Sequence, residues 1–332
     1  MRPKTPEPLW LRMKLFIQSK AEGSQRKYWF VLRRWCEFIG AEEGTRRGTR
    51  RFARASEEQA AKFAAALRNT PGHRRRGDRR RSPLANSTLG QNLRILKRLY
   101  RSLHEAGLCD KNPFSTPLIP QPNPGRGSKR RTEIVPFDMV EELLDAPDLT
   151  HHRGLRDKAI LLLLFGCGLR RMEVANLDLE DLRVTAGGDL YLELRATKSG
   201  EDQQMAIPEW ATPILSEWVS FRHRSGAGPQ DPLFTGYRGR GGMTGTPDRV
   251  TGSGLYAMFV GYCQDLGLVH KTPHSARVTA INKLLDAGFD YFAVKEFSRH
   301  KSIDMVQAYD RREPSLKRSL AQHLNYFKKR VA

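Results

Sequence analysis

The sequence predicts a mainly α-helical protein with a small β-sheet, divided into two domains. Apolar residues recur at helical spacing along much of the 332-residue chain. Residues 189–195 instead alternate apolar and polar side chains, as a β-strand does. Residues 112–131 contain five prolines and two glycines, which prevents a regular helix and indicates a linker. We therefore expect a helical domain over 1–113, a linker over 114–132 and a second domain over 133–332.

Three helices are expected in the first domain. Ser24 is a candidate cap for a helix that runs to about Gly40, and Ser56 with Gln59 fits a capping box for the second. The third runs from about Ser87 to Ala106. Its apolar face consists of Leu89, Leu93, Leu96, Leu99, Tyr100 and Leu103.

The second domain is expected to be helical around one hairpin. Residues 203–208 are the expected partner of the strand at 189–195, which places Lys198 at the hairpin tip. The expected helices cover 138–145, 155–165, 210–222, 253–266, 274–286, 290–297, 302–309 and 315–329.

Positive charge is concentrated in the first part of the chain. Residues 1–132 hold 31 Lys and Arg against 10 Asp and Glu, whereas residues 133–332 hold 26 of each kind. Such a surface attracts DNA or RNA through counterion release, although it could also serve only as a solvated basic surface. Two arginine-rich loops and the third helix are the candidate sites of phosphate contact. Their residues are Arg46, Arg47, Arg50, Arg51, Arg74, Arg75, Arg76, Arg79, Arg80, Arg81, Arg94, Lys97, Arg98 and Arg101.

Several classes of protein are disfavoured. The N-terminus lacks the apolar core of a signal peptide, and the longest apolar run, 159–165, is too short to cross a bilayer. The four cysteines lie far apart with no C-x-x-C pair, so no zinc site or disulfide framework is indicated. No phosphate-binding loop of the G-x-x-x-x-G-K-[ST] type is present. We expect a cytoplasmic protein, without membrane contact, metal or cofactor.

Six polar residues in the second domain form an ordered set. Arg170 follows Gly168-Leu169, and Arg277 lies three positions after His274. His300 follows Arg277 by 23 positions, and Tyr309 follows His300 by nine. With Lys198, this order and spacing resembles the tyrosine recombinase family, also called lambda-type or phage integrases. The resemblance extends over nearly the whole chain.

The resemblance implies a phosphoryl-transfer site. Tyr309 would be the nucleophile, although a helical tyrosine of this kind is often simply buried. The other implied roles are phosphate clamps for Arg170 and Arg277, proton acceptor for His274, hydrogen-bond donor for His300, leaving-group acid for Lys198 and support for Glu173. Arg171 competes with Arg170 for its role, and Lys271 and Lys301 compete with Lys198.

The resemblance also implies a function and an architecture. The protein would be a site-specific recombinase of a mobile element, plasmid or chromosome, associated with the nucleoid and forming a tetramer on two DNA duplexes. The first domain would be a SAM-like core-binding domain, and the helix after Ser315 would dock on a neighbouring subunit. The sequence does not indicate the accessory proteins.

Two alternative functions remain open, and the sequence departs from the usual family pattern at two positions. A type IB topoisomerase-like enzyme would share the chemistry, and a non-catalytic DNA-binding protein would share the fold. Arg299 stands where the family usually has glycine, and Val278 stands where histidine is common. Neither departure removes a catalytic group, but Arg299 could alter the position of the helix that carries Tyr309.

Overall fold

A computed structural model of the protein describes residues 8–69, 84–119, 132–195, 202–238 and 244–311. The chain divides into two compact units, Met1–Arg130 and Arg131–Ala332. Helices dominate both, and the strands form one three-stranded and one two-stranded sheet. The predicted fold class is therefore confirmed. No helix in the described ranges is both long and apolar enough to span a membrane.

In the described residues of the first unit, five α-helices surround an aromatic core. They are α1 (Pro8–Gln18), α2 (Glu22–Ile39), α3 (Arg46–Ala53), α4 (Glu57–Asn69) and α5 (Asn86–Glu105). Trp35 is fully buried and donates its indole N–H to Tyr100 Oη at 2.9 Å, and that hydroxyl donates to the Phe52 carbonyl at 3.0 Å. Because each polar group of these rings has a partner, the rings can be buried without an unsatisfied donor.

Two of the predicted features of these helices are confirmed, and one is wrong. All six residues of the predicted apolar face of α5 are buried. Ser56 and Gln59 form the reciprocal capping box, with N···O distances of 2.9 and 3.2 Å. Ser24 does not cap α2, because its own backbone N–H already donates to the Ala21 carbonyl and the helix has begun at Glu22.

The first arginine cluster lies on a helix, so its prediction as a loop is wrong. The Thr45 hydroxyl caps α3 by accepting the Gly48 N–H at 3.0 Å. A Cβ on Gly48 would lie 1.9 Å from the Glu42 carbonyl oxygen, so glycine is needed for this close approach. Phe52 anchors α3 by stacking on Tyr100, with ring centroids 4.7 Å apart. The second cluster, 74–81, lies outside the described residues.

The start of the predicted linker belongs to the first unit. Asn112 accepts the Phe114 N–H at 3.1 Å and donates to the Lys97 carbonyl at 2.8 Å, which directs Phe114 onto Trp35. Phe114 and Ile119 are both buried in this core. A short 3₁₀ turn, Pro113–Ser115, accommodates the first proline. Residues 120–131 lie outside the described part of the chain.

The second unit packs helices and two small sheets around one buried helix. Its helices are α6 (Met139–Asp145), α7 (His152–Gly166), α8 (Arg171–Asn176), α9 (Thr212–Arg224), α10 (Gly252–Asp265), α11 (Pro273–Asp286), α12 (Tyr291–Ser298) and α13 (Ile303–Gln307). The apolar run in α7 is buried from Ala159 to Phe165, and α7 contacts both α9 and α11.

The strands are β1 (Leu182–Val184), β2 (Leu190–Leu194), β3 (Gln203–Ala206), β4 (Thr235–Arg238) and β5 (Thr244–Arg249). The predicted hairpin of β2 and β3 is confirmed, with Leu192 opposite Met205. The sequence did not predict β1, β4 or β5. Lys198 and the expected helix at 315–329 lie outside the described residues.

Candidate active site

Five of the six candidate residues meet at one place in the second unit. Arg170 immediately precedes α8, His274 and Arg277 lie on α11, His300 follows α12, and Tyr309 follows α13. On α11, His274 and Arg277 share a face because they are three residues apart. Arg170 and Tyr309 are 139 residues apart in the sequence, and the packing of four helices brings them to the same site.

Arg277 is the most buried member of the cluster, with 1% of its surface exposed. Nη1 donates to the Gly168 carbonyl at 2.6 Å, and Nη2 donates to the Ser298 carbonyl. Gly168 has a φ of +56°, which turns its backbone in a way that favours glycine. Burial, followed by the nearby charge of Arg170, lowers the pKa of Arg277 to about 9, which leaves it charged at neutral pH. Its Nε is buried and lacks an acceptor among the described residues.

Glu173 joins Arg170 to Arg299. Its Oε1 accepts from Arg170 Nη1 at 2.6 Å, and its Oε2 accepts from the Arg170 backbone N–H at 2.8 Å and from Arg299 Nη2 at 2.7 Å. Burial alone raises the pKa of Glu173, but Arg299 and Arg170 together lower it below its usual range. The carboxylate is therefore charged and bound on both oxygens.

His300 is 6% exposed and has a partner at each ring nitrogen. Nε2 lies 3.3 Å from Arg277 Nη2, and Nδ1 lies 2.8 Å from Ser298 Oγ. An arginine has no acceptor, so Nε2 must accept and the ring proton belongs on Nδ1. Burial, followed by the charges of Arg277 and Arg170, lowers the pKa of His300 to about 4.

Tyr309 lies between the two histidines. Its Oη is 3.2 Å from His274 Nε2, and its ring stacks on His300 with centroids 5.3 Å apart. Desolvation, followed by the charges of Arg277 and Arg170, lowers the pKa of His274. A neutral imidazole therefore faces the tyrosine hydroxyl near neutral pH, and such a group can accept a proton.

Asn282 holds the backbone around Tyr309, a role that sequence reasoning missed. This buried side chain donates to the Tyr309 carbonyl at 3.0 Å and accepts the Arg311 N–H at 3.0 Å. Its Nδ2 also donates to the Val278 carbonyl at 2.8 Å. The sequence did offer one sign of this role. Asn282 is a polar residue at a position of α11 that faces the core, two turns beyond His274.

Known proteins similar to this chain are recombinases. A sequence profile described as the phage integrase family matches residues 133–315. The chain belongs to the phage integrase family, that is, to the tyrosine recombinases. Tyrosine recombinase XerC from Pseudomonas putida (strain W619) is 30% identical over 227 residues, which is 68% of this chain and 69% of that protein. XerC from Roseiflexus castenholzii (strain DSM 13941 / HLO8) is 30% identical over 239 residues, or 70% of each chain.

Solved structures agree with the fold of this recombinase. The Tn1549 transposon integrase in complex with circular intermediate DNA aligns with a TM-score of 0.63 over 96% of this chain and 99% of that one, at 16% identity. A lambda integrase dimer bound to a COC′ core site gives a TM-score of 0.59 over 99% and 100%, at 13% identity. The protein is a tyrosine-type site-specific DNA recombinase, and the topoisomerase alternative is not favoured.

The structure separates Arg170 of this recombinase from its competitor Arg171. Arg170 lies in the cluster, whereas the Arg171 guanidinium lies 5.8 Å from the Tyr256 ring centroid. Of the competitors of Lys198, Lys271 pairs with Glu133 at 2.8 Å and Lys301 is exposed. Among the described residues, no group of three His, Cys, Asp or Glu side chains is arranged to hold a metal ion.

Among the described residues of the recombinase, the arginines and lysine predicted to contact DNA lie on two helices. Arg46, Arg47 and Arg50 on α3 are exposed, and their guanidinium groups have no hydrogen bond or ion pair within the described residues. Arg51 differs, because its Nη1 donates to the Gly40 carbonyl at 2.9 Å. On α5, Arg94, Arg98 and Arg101 are exposed and Lys97 is half-buried.

Proposed function

We propose that this recombinase cleaves DNA by attack of Tyr309 on the scissile phosphate. The Tyr309 oxygen forms a bond to phosphorus, the bond from phosphorus to the 5′ oxygen breaks, and a 3′-phosphotyrosine results. Reversal of the step by another 5′ hydroxyl rejoins the strand, so no nucleotide cofactor is needed. The 3.2 Å distance between Tyr309 Oη and His274 Nε2 is the observation that carries this proposal.

His274 is proposed to accept the tyrosine proton. The ordinary pKa of tyrosine is about 10, so the hydroxyl needs a base near neutral pH. His274 suits this role because its lowered pKa keeps the ring neutral.

Arg170 and Arg277 are proposed to bind the non-bridging phosphate oxygens. Both donate to neighbouring carbonyl groups, at Arg299 and Ser298, so the two guanidinium groups approach the same backbone segment. An arginine keeps its charge and presents several N–H groups in one plane, which suits a phosphate. A phosphate oxygen would also give the buried Nε of Arg277 the acceptor that it lacks.

His300 is proposed to change its partner when the phosphate binds. In the free site its Nε2 accepts from Arg277. The negative phosphate would raise the pKa of the ring and would also attract Arg277, so that Nε2 could carry a proton and donate to the phosphate. Lys198 is proposed to protonate the departing 5′ oxygen.

The two units are proposed to have separate roles, binding and cleavage, on double-stranded DNA that carries a specific recombination site. The first unit, as a SAM-like core-binding domain, would bind the phosphate backbone through α3 and α5, and the second unit would cut. This division is supported by the exposed arginines of α3 and by the excess of positive charge in residues 1–132. The reaction would integrate, excise or resolve DNA, such as a mobile element, at the nucleoid.

A tetramer on two duplexes is proposed for synapsis. The second unit has an apolar groove of about 420 Å³, lined by Phe137, Val140, Leu144, Phe165, Trp210 and Phe297 among others. Residues 315–329 of a neighbouring subunit would occupy this groove through Leu316, Leu320 and Leu324, which recur at helical spacing.

The test is to trap the covalent complex on a nicked duplex whose cut releases a short fragment. Wild-type protein should form a denaturation-resistant adduct, also in excess EDTA, because the arginines supply the charge at the phosphate. Tyr309→Phe should form none. Tyr256→Phe is the matched control, since Tyr256 is exposed and contacts Arg171. An adduct with Tyr309→Phe would refute the proposal, as would loss of cleavage in EDTA that magnesium restores.

A further inference from the structure

Arg299 has an unusual backbone conformation for its residue type. It ends α12 with φ 54° and ψ 44°, in the left-handed region, where a glycine is the usual residue. Within the described residues, only His270 and Arg299 combine a side chain with a positive φ. An arginine in this position suggests that the side chain has a use that offsets the conformational strain.

The Arg299 side chain is directed into the site without reaching its surface. It is 4% exposed, and its Nη2 contacts Glu173 Oε2 at 2.7 Å. Its backbone carbonyl accepts from Arg170 Nη2 at 3.4 Å. Arg299 therefore touches Arg170 directly through its backbone and indirectly through Glu173, and its own guanidinium is bound to the Glu173 carboxylate.

We propose that Arg299 is a positioning residue that keeps Arg170 available for the scissile phosphate by sharing the Glu173 carboxylate. Alone, Arg170 and Glu173 would form an ion pair with no net charge, and the carboxylate would compete with the phosphate for the same guanidinium. With Arg299 included, the three side chains carry one net positive charge beside the phosphate. The Arg170 guanidinium then binds Oε1 and the Arg299 guanidinium binds Oε2, which fixes the plane of the Arg170 guanidinium.

This inference rests on the proposed function, and its test separates the two. Arg299→Gly suits the left-handed backbone, so the change removes the bridge to Glu173 without forcing a new conformation. The initial cleavage rate at saturating protein should fall about 10- to 100-fold, because small misplacement of a phosphate-binding group has effects of that size. The dissociation constant for the duplex should remain within about twofold, since the Arg299 guanidinium donates to Glu173 and is not proposed to bind DNA.

Three further variants show whether the effect of Arg299 acts through Glu173. The double variant Glu173→Gln/Arg299→Gly should cleave no more slowly than Glu173→Gln alone. Without the Glu173 carboxylate, the ion pair through which Arg299 acts is already lost. His270→Gly is the matched control for removing a side chain from a residue with a left-handed backbone conformation, since His270 is exposed and has φ 63°. It should cleave at the wild-type rate. Arg299→Lys, which keeps a positive donor, should retain more activity than Arg299→Gly and can replace it if the glycine variant unfolds.

The outcomes that overturn the inference are distinct from those that overturn the function. A wild-type protein that forms no adduct refutes the proposed function. If the wild type forms the adduct and Arg299→Gly cleaves equally fast, only the role of Arg299 is wrong. The role is also wrong if the losses from Glu173→Gln and Arg299→Gly multiply in the double variant, because Arg299 would then act independently of Glu173.

Discussion

Two groups of arginines, one on α3 of the first unit and one at the candidate site of the second unit, have opposite environments. On α3 of the first unit, Arg46, Arg47 and Arg50 are exposed and have no partner among the described residues. In the second unit, Arg277 is 1% exposed, and the Arg299 side chain is 4% exposed. Exposed guanidinium groups are mobile and screened by salt, so they can attract any stretch of DNA. Buried guanidinium groups are fixed and desolvated, so Arg277 can bind one phosphate in one orientation and Arg299 can hold Glu173 in place.

The difference lies in what surrounds each arginine, since the residue type is the same. Arg277 donates to two backbone carbonyls, and Arg299 donates to a carboxylate. A buried charge that lacked such partners would be strongly destabilising. We therefore expect substitutions in the second unit to change the rate of cleavage, and those in the first unit to change affinity and its dependence on salt.

The largest effect is expected for Arg277→Lys. Lysine keeps the charge but cannot donate to the Gly168 and Ser298 carbonyls and the phosphate in one plane. Cleavage of bound DNA should fall about 1000-fold, the size of effect seen when a transition-state donor is removed. Single-turnover cleavage at saturating protein measures this. Arg46→Lys is the matched control and should cleave normally; a comparable loss there, or a rate for Arg277→Lys within tenfold of wild type, would contradict the comparison.

Asn282→Ala should weaken both the fold and the reaction. It leaves the Tyr309 carbonyl and the Arg311 N–H without their partner, at a cost of roughly 1–3 kcal/mol in the free energy of unfolding. Misplacement of Tyr309 should slow cleavage about 10- to 100-fold. Denaturant unfolding and adduct formation measure the two effects.

Asn282→Asp separates the hydrogen bond to the Tyr309 carbonyl from the hydrogen bond to the Arg311 N–H. The aspartate still accepts from the Arg311 N–H but no longer donates to the Tyr309 carbonyl. We expect this variant also to cleave slowly, because its carboxylate faces that carbonyl. Wild-type cleavage by both variants would show that Asn282 does not position the nucleophile.

The next effect is a pH dependence of stability that comes from His300. Its pKa is about 4 in the folded protein, below its ordinary value of about 6.5 in an unfolded chain. Between these values the unfolded chain binds a proton that the native site does not, so the native state loses stability as the pH falls from about 6.5 to 4. Above pH 6.5 this contribution is unchanged. The loss should be about 3 kcal/mol over that window.

His300→Gln tests this assignment. The variant should lose less stability than wild type between pH 6.5 and 4, when the free energy of unfolding is measured by denaturant titration. His274 remains in both proteins, so its contribution cancels in the difference. Parallel curves for the two proteins would exclude His300 as the titrating group.

The sequence predicted the members of the site better than their contacts. Spacing and the resemblance selected His274, Arg277, His300 and Tyr309 as candidates, and the structure brings these four side chains together. Spacing could not show that His300 accepts from Arg277, since that contact depends on how α11 and α12 pack. Nor could it show that Arg299 adopts a left-handed backbone, which α12 requires where it ends.

The first unit shows a different limit of sequence reasoning. The residues of α3 read as a loop because arginine makes up half of Arg46–Ala53 and few apolar residues are present. The helix forms because Thr45 caps it, and because Gly48 and Phe52 fit against Glu42 and Tyr100. Tertiary packing thus overrides a weak local pattern. The apolar face of α5 was predictable, since its residues, Leu89 to Leu103, repeat over about four turns.

The smallest effect is expected on α3, where Arg46, Arg47 and Arg50 are replaced together by Gln. If each arginine neutralises one phosphate, the slope of log affinity against log salt should become less steep by about 0.9 per residue. Binding titrations of the full-length variant at several salt concentrations measure this slope. Cleavage at saturating protein should remain at the wild-type rate, because α3 contributes no residue to the site.

Arg183→Gln is the control for removing an arginine from the second unit. Arg183 already pairs with Glu193 at 3.4 Å, so its removal should leave the salt slope nearly unchanged. If instead the α3 variant keeps the wild-type slope, these arginines are only solvated, and the charge imbalance does not assign DNA affinity to the first unit. If the α3 variant loses cleavage at saturating protein, the separation of affinity from chemistry between the two units is wrong, because exposed and buried arginines would then serve the same step.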